Sequence, residues 1–328
     1  NPSSGKNIDV NYAMSSADEV ADACNLANKA ALQMAQFSGD RKAEFLNTLA
    51  DGIDGIVDEL VTTMTAETGL PEPRVRAETG RTTGQLRMFA KLVKDGNWVD
   101  ARIDRAKPDR QPLPKPDLRT MLRPVGPVAV FCASNFPLAF SVAGGDSASA
   151  WAAGCPVVVK AHHAHPGTAL IVGKAVVDAL KKSNWPEGAF SLLFGEGRTI
   201  GQALVRNKYI KAVGFTGSRS GGRALFDIAN DREDPIPVFA EMSSVNPIFV
   251  LPGMELEQIE GFTSGLMGSA TLGVGQFCTN PGIVFHPSGD FGVQLKSSYI
   301  EKMKSVDVCP MLHRGIRDAY YEGINGLM

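Results

Sequence analysis

Between Pro127 and Glu241 five short apolar runs alternate with helical stretches, and this alternation leaves few folds open. The runs are Val128–Phe131, Val157–Val159, Phe190–Phe194, Ile210–Phe215 and Val238–Ala240, with helices expected at about Leu138–Ala153, Gly167–Lys181, Gly201–Arg206 and Ser220–Asn230. Short, nearly uninterrupted apolar strands that each feed a helix predict a parallel sheet covered on both faces, hence an α/β fold. Ligands of such sheets bind beyond the carboxyl ends of the strands. The polar residues that follow each run are therefore the candidates for chemistry.

The preceding part of the chain reads as packed helices. Ser16-Ala17-Asp18-Glu19 is a capping-box pattern, followed at helical spacing by Val20, Ala23, Ala27, Ala31 and Met34. Asp40 is expected to cap a second helix, Ile56–Met64 forms a third that stops at Gly69-Leu70-Pro71, and a fourth runs from about Pro73 to Val93 with Leu86, Phe89 and Val93 on one face. Pro108, Pro112, Pro114 and Pro116 mark an extended connector, and Leu118–Leu122 alternates like a half-exposed strand. The uncharged stretch Pro124–Gly145 is long enough to consider as a membrane span, but its prolines, Ser134 and Asn135 favour a strand, a loop and a helix start. A net charge of -2 over 328 residues gives no reason to expect nucleic acid or an anionic membrane as a partner. The five cysteines are odd in number and lack a Cys-x-x-Cys pair, which points to a reducing compartment, the cytoplasm, rather than to a disulfide scaffold or a zinc site. No signal peptide is read at the start of the chain.

Each strand end offers a chemical group with a plain alternative beside it. Asn135, after Phe131, is able to donate to a developing oxyanion, or simply to form an Asx turn before Pro137. Lys160 is placed to meet a ribose or a phosphate. His162, His163 and His165 come without a carboxylate or cysteine and are adjacent, so capping or ligand-edge roles are expected and no metal. Thr216-Gly217-Ser218-Arg219-Ser220-Gly221-Gly222 enters a helix, where glycines and free N–H groups suit a phosphate, or form an ordinary turn. Glu241, at the end of an apolar run, is expected to be partly desolvated, which would raise its pKa toward general-base use; pairing with an arginine is the alternative. Finally, Gly275-Gln276-Phe277-Cys278-Thr279-Asn280-Pro281-Gly282 follows a helical run ending near Thr271 and sets one cysteine on a glycine-flanked turn. Its sulfur is a nucleophile only as thiolate, and most lone cysteines are small buried hydrophobes.

Taken together and in order, Ala133-Ser134-Asn135-Phe136-Pro137, Val159-Lys160, Phe215-Thr216-Gly217-Ser218, Glu241 with Asn246-Pro247, and Gly275-Gln276-Phe277-Cys278 resemble the aldehyde dehydrogenase superfamily. The longer strings Ala133–Gly145 and Phe277–Gly282 look like the 2-oxoglutarate semialdehyde dehydrogenases, and nearly as much like bacterial fatty-aldehyde dehydrogenases. The resemblance implies a Rossmann-like cofactor domain with N-terminal helices, followed by the start of a second, catalytic α/β domain. The divisions expected are 1–117 for the helical part of the cofactor domain, 118–124 for a strand of the oligomerisation region, 125–241 for the dinucleotide-binding sheet and 242–328 for the catalytic domain. It implies that Cys278 attacks an aldehyde, that Asn135 and the Cys278 N–H hold the oxyanion, and that Glu241 activates water to release the acid from a thioester. Lys160, Gly217, Ser218 and Gly222 would face the cofactor. A small-molecule aldehyde is the expected substrate, and a homo-oligomer, dimer or tetramer, the expected assembly.

Two features depart from the family pattern. His163 stands where many NAD-using members carry a glutamate for the adenosine ribose. Loss of that carboxylate removes repulsion toward a 2′-phosphate, so NADP is the expected cofactor, with NAD as the alternative. The family also continues well past the cysteine, so the chain is expected to be part of a longer protein. Coenzyme A-dependent acyl transfer and a silent cofactor-binding role are the competing functions; Glu241 argues against the first. A semialdehyde would want an arginine for its carboxylate, with Arg123, Arg219 and Arg223 as the candidates; a long-chain aldehyde would want Phe136, Phe140 and Phe277.

Overall fold

A computed structural model describes residues 1–326. Helix α1 (Ala17–Met34) starts at the expected capping box: the Ser16 hydroxyl accepts from the Glu19 N–H at 3.1 Å and the Glu19 carboxylate accepts from the Ser16 N–H at 2.7 Å. Ala30 rather than Ala31 lies in its buried stripe. Helix α2 (Gly39–Asp54) is capped by Ser38, not by Asp40, which is exposed in the first turn. Gly39, its first residue, sits against the Val93 carbonyl, where a Cβ would lie 2.2 Å from the oxygen. Helices α3 (Val57–Thr68) and α4 (Glu72–Asp95) follow, the latter closed by Gly96 at φ 74°. Strands β1 (Arg102–Asp104) and β2 (Leu118–Thr120) form an antiparallel pair. The half-burial expected for Leu118–Leu122 is not found: all five residues are exposed.

The sheet is built by β3 (Val128–Phe131), helix α5 (Gly145–Ala153), β4 (Val157–Lys160), α6 (Pro166–Lys182), β5 (Phe190–Leu193), α7 (Gln202–Arg206), β6 (Ala212–Thr216), α8 (Arg219–Asn230) and β7 (Val238–Glu241). The strands are parallel in the order β5-β4-β3-β6-β7. The chain winds outward from β3 to β5, then returns to the other side of β3 for β6 and β7. The switch therefore falls between β3 and β6, where sheets of this kind bind ligands beyond their carboxyl ends. The register sets Phe131 opposite Lys160 on one side and Phe215 on the other, and Thr216 opposite Glu241. Beneath that edge Ala129, Phe131, Val158 and Val213 pack with Val20 and Cys24 of α1 and with Leu204, Leu225 and Ala229. An aromatic group of Phe45, Trp151 and Trp185 packs with centroids 5.4 Å and 4.2 Å from Phe45.

Two sequence expectations change here. The helix expected from Leu138 begins only at Gly145; residues 138–144 are turns. And β7 is an edge strand, with Phe239 69 % exposed and Glu241 exposed, so the expected two-sided covering stops short of it.

Asp9–Thr65 and Pro71–Glu241 form one compact unit; Asn1–Ile8, Ala66–Leu70 and Met242–Met328 form the other. In the smaller unit β8 (Pro247–Phe249), α9 (Ile259–Thr271) and β9 (Ile283–Phe285) make a parallel crossover, with Phe249 and Phe285 stacked at 4.9 Å. Helix α10 (Asp290–Lys304) packs on α9, where the buried Thr263 hydroxyl meets that of Ser298 at 2.8 Å, and α11 (Arg314–Asn325) follows. No helix among the described residues is long and apolar enough to cross a membrane.

Candidate active site

In the smaller unit the turn before Cys278 is wound tightly. Gly273, Val274 and Gly275 all have φ between 59° and 70°, the left-handed region. For a β-branched residue such as Val274 this is a true outlier, and such outliers concentrate at functional sites. Gly273 has a second reason to lack a side chain: a Cβ would lie 2.7 Å from the Phe277 ring. Side-chain amides then pin the loop. Asn246 Nδ2 donates to the carbonyls of Cys278 at 2.6 Å and Asn280 at 2.9 Å, while its Oδ1 accepts from the Ser244 hydroxyl. Asn280 Nδ2 donates to Ala270 O at 2.7 Å, and Gln276 bridges Gly273 O and the Leu312 N–H.

All five cysteines are free. Burial pushes the Cys24 thiol up to about 12 and the Cys132 thiol up to about 11, and also raises Cys155. Those three are poor sources of thiolate. Cys278 is half-buried on its pinned loop and Cys309 is exposed.

The Asn246 clamp has a measurable consequence. Replacing Asn246 by alanine removes two hydrogen bonds from half-buried carbonyls and puts a methyl group at φ 47°, where asparagine is better tolerated. The expected outcome is a stability loss of about 2 kcal/mol and slower alkylation of Cys278. Iodoacetamide labelling followed by peptide mass spectrometry checks the second effect, and unfolding in urea the first.

In the larger unit Asn135 lies half-buried, four residues past β3. Lys160, the last residue of β4, is 8 % exposed, and its ammonium makes no hydrogen bond or ion pair with a described residue. Burial holds it below the ordinary lysine value. His163 is exposed, although its ring stacks on His162 at 4.3 Å; desolvation, then the Lys160 charge, holds it below the ordinary imidazole value. His165 is fully buried and lowered to about 4 by that burial, so it is neutral. Its Nε2–H donates to Ala133 O at 2.7 Å and ties the segment after β3 to the one after β4.

In the glycine turn after β6 the glycine N–H groups are themselves bonded. The Gly217 N–H bonds Glu241 O at 3.0 Å, the Gly221 N–H bonds the Ser218 hydroxyl at 3.2 Å and the Gly222 N–H bonds Ser218 O at 2.9 Å. Ser218 is thus the cap of α8, and the N–H groups of Arg219 and Ser220 in its first turn have no partner among the described residues. The desolvation expected for Glu241 is missing, because an edge strand leaves its side chain exposed. Cys278 belongs to the smaller unit; the other site residues read from the sequence belong to the larger.

With this sheet, this cysteine loop and these strand ends described, the comparison with known proteins decides the family. Residues 1–315 match the model of the aldehyde dehydrogenase family. The chain belongs to that family. It is 49% identical over 323 residues to alpha-ketoglutaric semialdehyde dehydrogenase 2 of Azospirillum brasilense, covering 98% of this chain and 62% of that protein. It is 43% identical over 317 residues to the alpha-ketoglutaric semialdehyde dehydrogenase of Acinetobacter baylyi, covering 97% and 60%. The crystal structure of an aldehyde dehydrogenase from Brucella melitensis biovar abortus 2308 superposes with a TM-score of 0.80 at 25% identity, over 96% of this chain and 61% of that one. This member of the aldehyde dehydrogenase family therefore spans about three fifths of the length of the curated relatives it matches.

Sequence reasoning passed over several residues that shape the site. Glu78 of α4 is 1 % exposed, and its Oε1 accepts from the Leu138 N–H at 2.9 Å and the Ala139 N–H at 3.0 Å. Its Oε2 pairs with Arg74 at 2.7 Å. Arg74 and Glu78 stand four apart on one helix face, a visible signal, but their target lies sixty residues away. Of the arginines named for a substrate carboxylate, Arg223 pairs with Asp227 at 2.9 Å, and Arg123 and Arg219 are exposed.

Proposed function

We propose that the protein to which this chain belongs oxidises an aldehyde to a carboxylic acid, with 2-oxoglutarate semialdehyde as its substrate. The observation that carries this reading is the cysteine loop: a half-buried thiol on a left-handed turn whose carbonyls are clamped by Asn246. The two relatives named for the alpha-ketoglutaric semialdehyde support the choice of substrate. Cys278 attacks the aldehyde carbon as thiolate, and the Asn135 amide with the Cys278 N–H holds the oxyanion. NAD(P), when bound, supplies the hydride acceptor that turns the adduct into a thioester. Glu241, whose exposure leaves it open to solvent, activates the water that releases the acid. The larger unit is assigned to the dinucleotide and the smaller to the nucleophile.

The larger unit suits such a cofactor. The buried ammonium of Lys160 and the N–H groups of Arg219 and Ser220, placed at strand ends, have no acceptor among the described residues. Ser218 and Gly222 shape the turn that presents them, and Gly217 joins it to β7. His163 beside Lys160 offers a further donor where a carboxylate would repel a 2′-phosphate. Replacing His163 by glutamate is expected to cut kcat/KM for NADP at least about tenfold while that for NAD is kept or improved, because a like charge is set against the phosphate. Parallel titrations with the two cofactors check this. A homo-oligomer is proposed as well, since Ile103, Leu118, Met121 and Leu122 are all at least half exposed around the β1–β2 pair; sedimentation measures it. A cytoplasmic location is proposed as well, from the odd number of cysteines and the lack of a Cys-x-x-Cys pair in the sequence.

The test is a panel of aldehydes followed by NADPH absorbance, with mass spectrometry of products with and without coenzyme A. Free acid in both cases supports the reading. An acyl-coenzyme A product, or a Cys278 unreactive toward every aldehyde, overturns it.

A further inference from the structure

One face of α4 is devoted to the segment that follows Asn135. Arg74, Glu78 and Arg81 recur on that face at helical spacing. Glu78 holds the N–H groups of Leu138 and Ala139 and pairs with Arg74. Arg74 also lies over the Phe136 ring, its guanidinium carbon 4.6 Å from the centre, and Arg81 is the second guanidinium on that ring. The Arg81 guanidinium carbon lies 5.3 Å from the centre of the Phe136 ring and 5.0 Å from that of Phe140. The two rings meet edge to face at 5.1 Å and 85°. Phe136 is buried and Phe140 half-buried, so the rings are fixed, while Arg81 itself is exposed.

The other arginines of α4 have acids to pair with. Arg74 takes Glu78, Arg76 takes Asp58 and Glu72, and Arg87 takes Asp51 and Asp54. Arg81 makes no ion pair or hydrogen bond with a described residue, and Glu78 is already engaged. A guanidinium carries five donors in a rigid fork that matches a carboxylate, and two aromatic faces restrict its orientation. Phe136 is the residue after Asn135, so Arg81 packs on the ring next in the chain to the amide assigned to the aldehyde oxygen.

We propose that Arg81 receives the distal carboxylate of a short ω-oxo acid and so sets the preference for semialdehydes over uncharged aldehydes. The inference rests on the aldehyde-oxidising reading and adds the residue that reads the substrate's far end. Its loss is expected in KM for charged substrates, because the carboxylate does not take part in the chemistry.

The experiment compares 2-oxoglutarate semialdehyde with pentanal, in the full-length enzyme and its R81Q and R81K variants. The ratio of the two kcat/KM values is expected to fall at least about tenfold in R81Q, through KM, and to recover in part in R81K, where charge returns without the fork. An unchanged ratio, or an equal loss on both substrates, overturns the proposal. Calorimetric titration with glutarate and with pentanoate adds a readout independent of turnover: glutarate binding that R81Q weakens and pentanoate does not share supports it. Arg81-dependent glutarate binding by an enzyme that oxidises no aldehyde would leave this inference standing and sink the functional reading. Oxidation of both aldehydes with no dependence on Arg81 would do the reverse.

Discussion

Alanine at Cys278 is expected to lower kcat for aldehyde oxidation by at least about a thousandfold, since removing the nucleophile removes the covalent route itself. Dinucleotide binding should survive, because the groups assigned to it lie in the larger unit, on the ends of β4 and β6. Serine at the same position should do little better, as a hydroxyl has no appreciable anion at neutral pH. The companion variant Glu241→Gln separates the two halves of the reaction. If Glu241 activates water, aldehyde and NADP should give a burst of one NADPH per active site, then a slow steady rate, with the acyl group held on the Cys278 peptide. Rapid-mixing absorbance and mass spectrometry of the quenched protein check both points. A Cys278→Ala enzyme that keeps its rate would remove this sulfur from the mechanism, and a Glu241→Gln enzyme with no burst would remove the carboxylate from the second step. The three cysteines with raised thiols, Cys24, Cys132 and Cys155, serve as internal controls, since their replacement should leave the burst intact.

The parallel sheet was legible in the sequence because its signal is local. Five apolar runs between helices have one economical arrangement, and the observed strands differ from the expected ones by a residue or two at their ends. The capping box at Ser16 was legible for the same reason, its partners being three residues apart. What escaped depended on distant partners. A helix was read from about Leu138, yet the N–H groups of Leu138 and Ala139 are taken by Glu78, and the helix waits until Gly145. A Cβ at Gly144 would lie 2.4 Å from Ala139 O, which shows how tightly the intervening turn is folded. The burial of Glu241 was misjudged because strand order was unknown: an apolar run at a sheet edge reads much like one at its centre. The sequence placed free N–H groups at the helix start after β6 without saying which; Ser218 and the neighbouring strand claim those of Gly217, Gly221 and Gly222, while those of Arg219 and Ser220 have no partner among the described residues. Asn246 was visible as part of a motif; its clamp on Cys278 and Asn280 belongs to the tertiary structure.

Glu78→Ala is expected to cost about 3–5 kcal/mol in stability, a large effect for one residue outside the hydrophobic core. Three losses combine. The N–H groups of Leu138 and Ala139 lose a buried acceptor, and Arg74 keeps its charge without its partner. The Arg74 side chain is 21% exposed, so water relieves part of the last loss and holds the total near the lower end of the range. Glu78→Gln keeps one oxygen for the two N–H groups but sets an amide against Arg74, so an intermediate loss is expected. The pH dependence gives an independent check. Desolvation raises the Glu78 carboxyl above the ordinary glutamate value, and the Arg74 charge and the two N–H bonds only partly offset it. The folded protein therefore holds a proton on Glu78 at pH values where the unfolded chain has released it. This group's contribution to stability is fully present below the unfolded glutamate value and is lost as pH rises through the folded one. The Gln variant, unable to titrate there, should lack that part of the slope in urea midpoints measured from about pH 4 upward. Because the same carboxylate orders the segment beginning at Asn135, the Ala variant should also react more slowly with aldehyde at temperatures where it is still folded. Loss of stability without loss of rate would make Glu78 a brace for the fold alone, with no part in positioning Asn135.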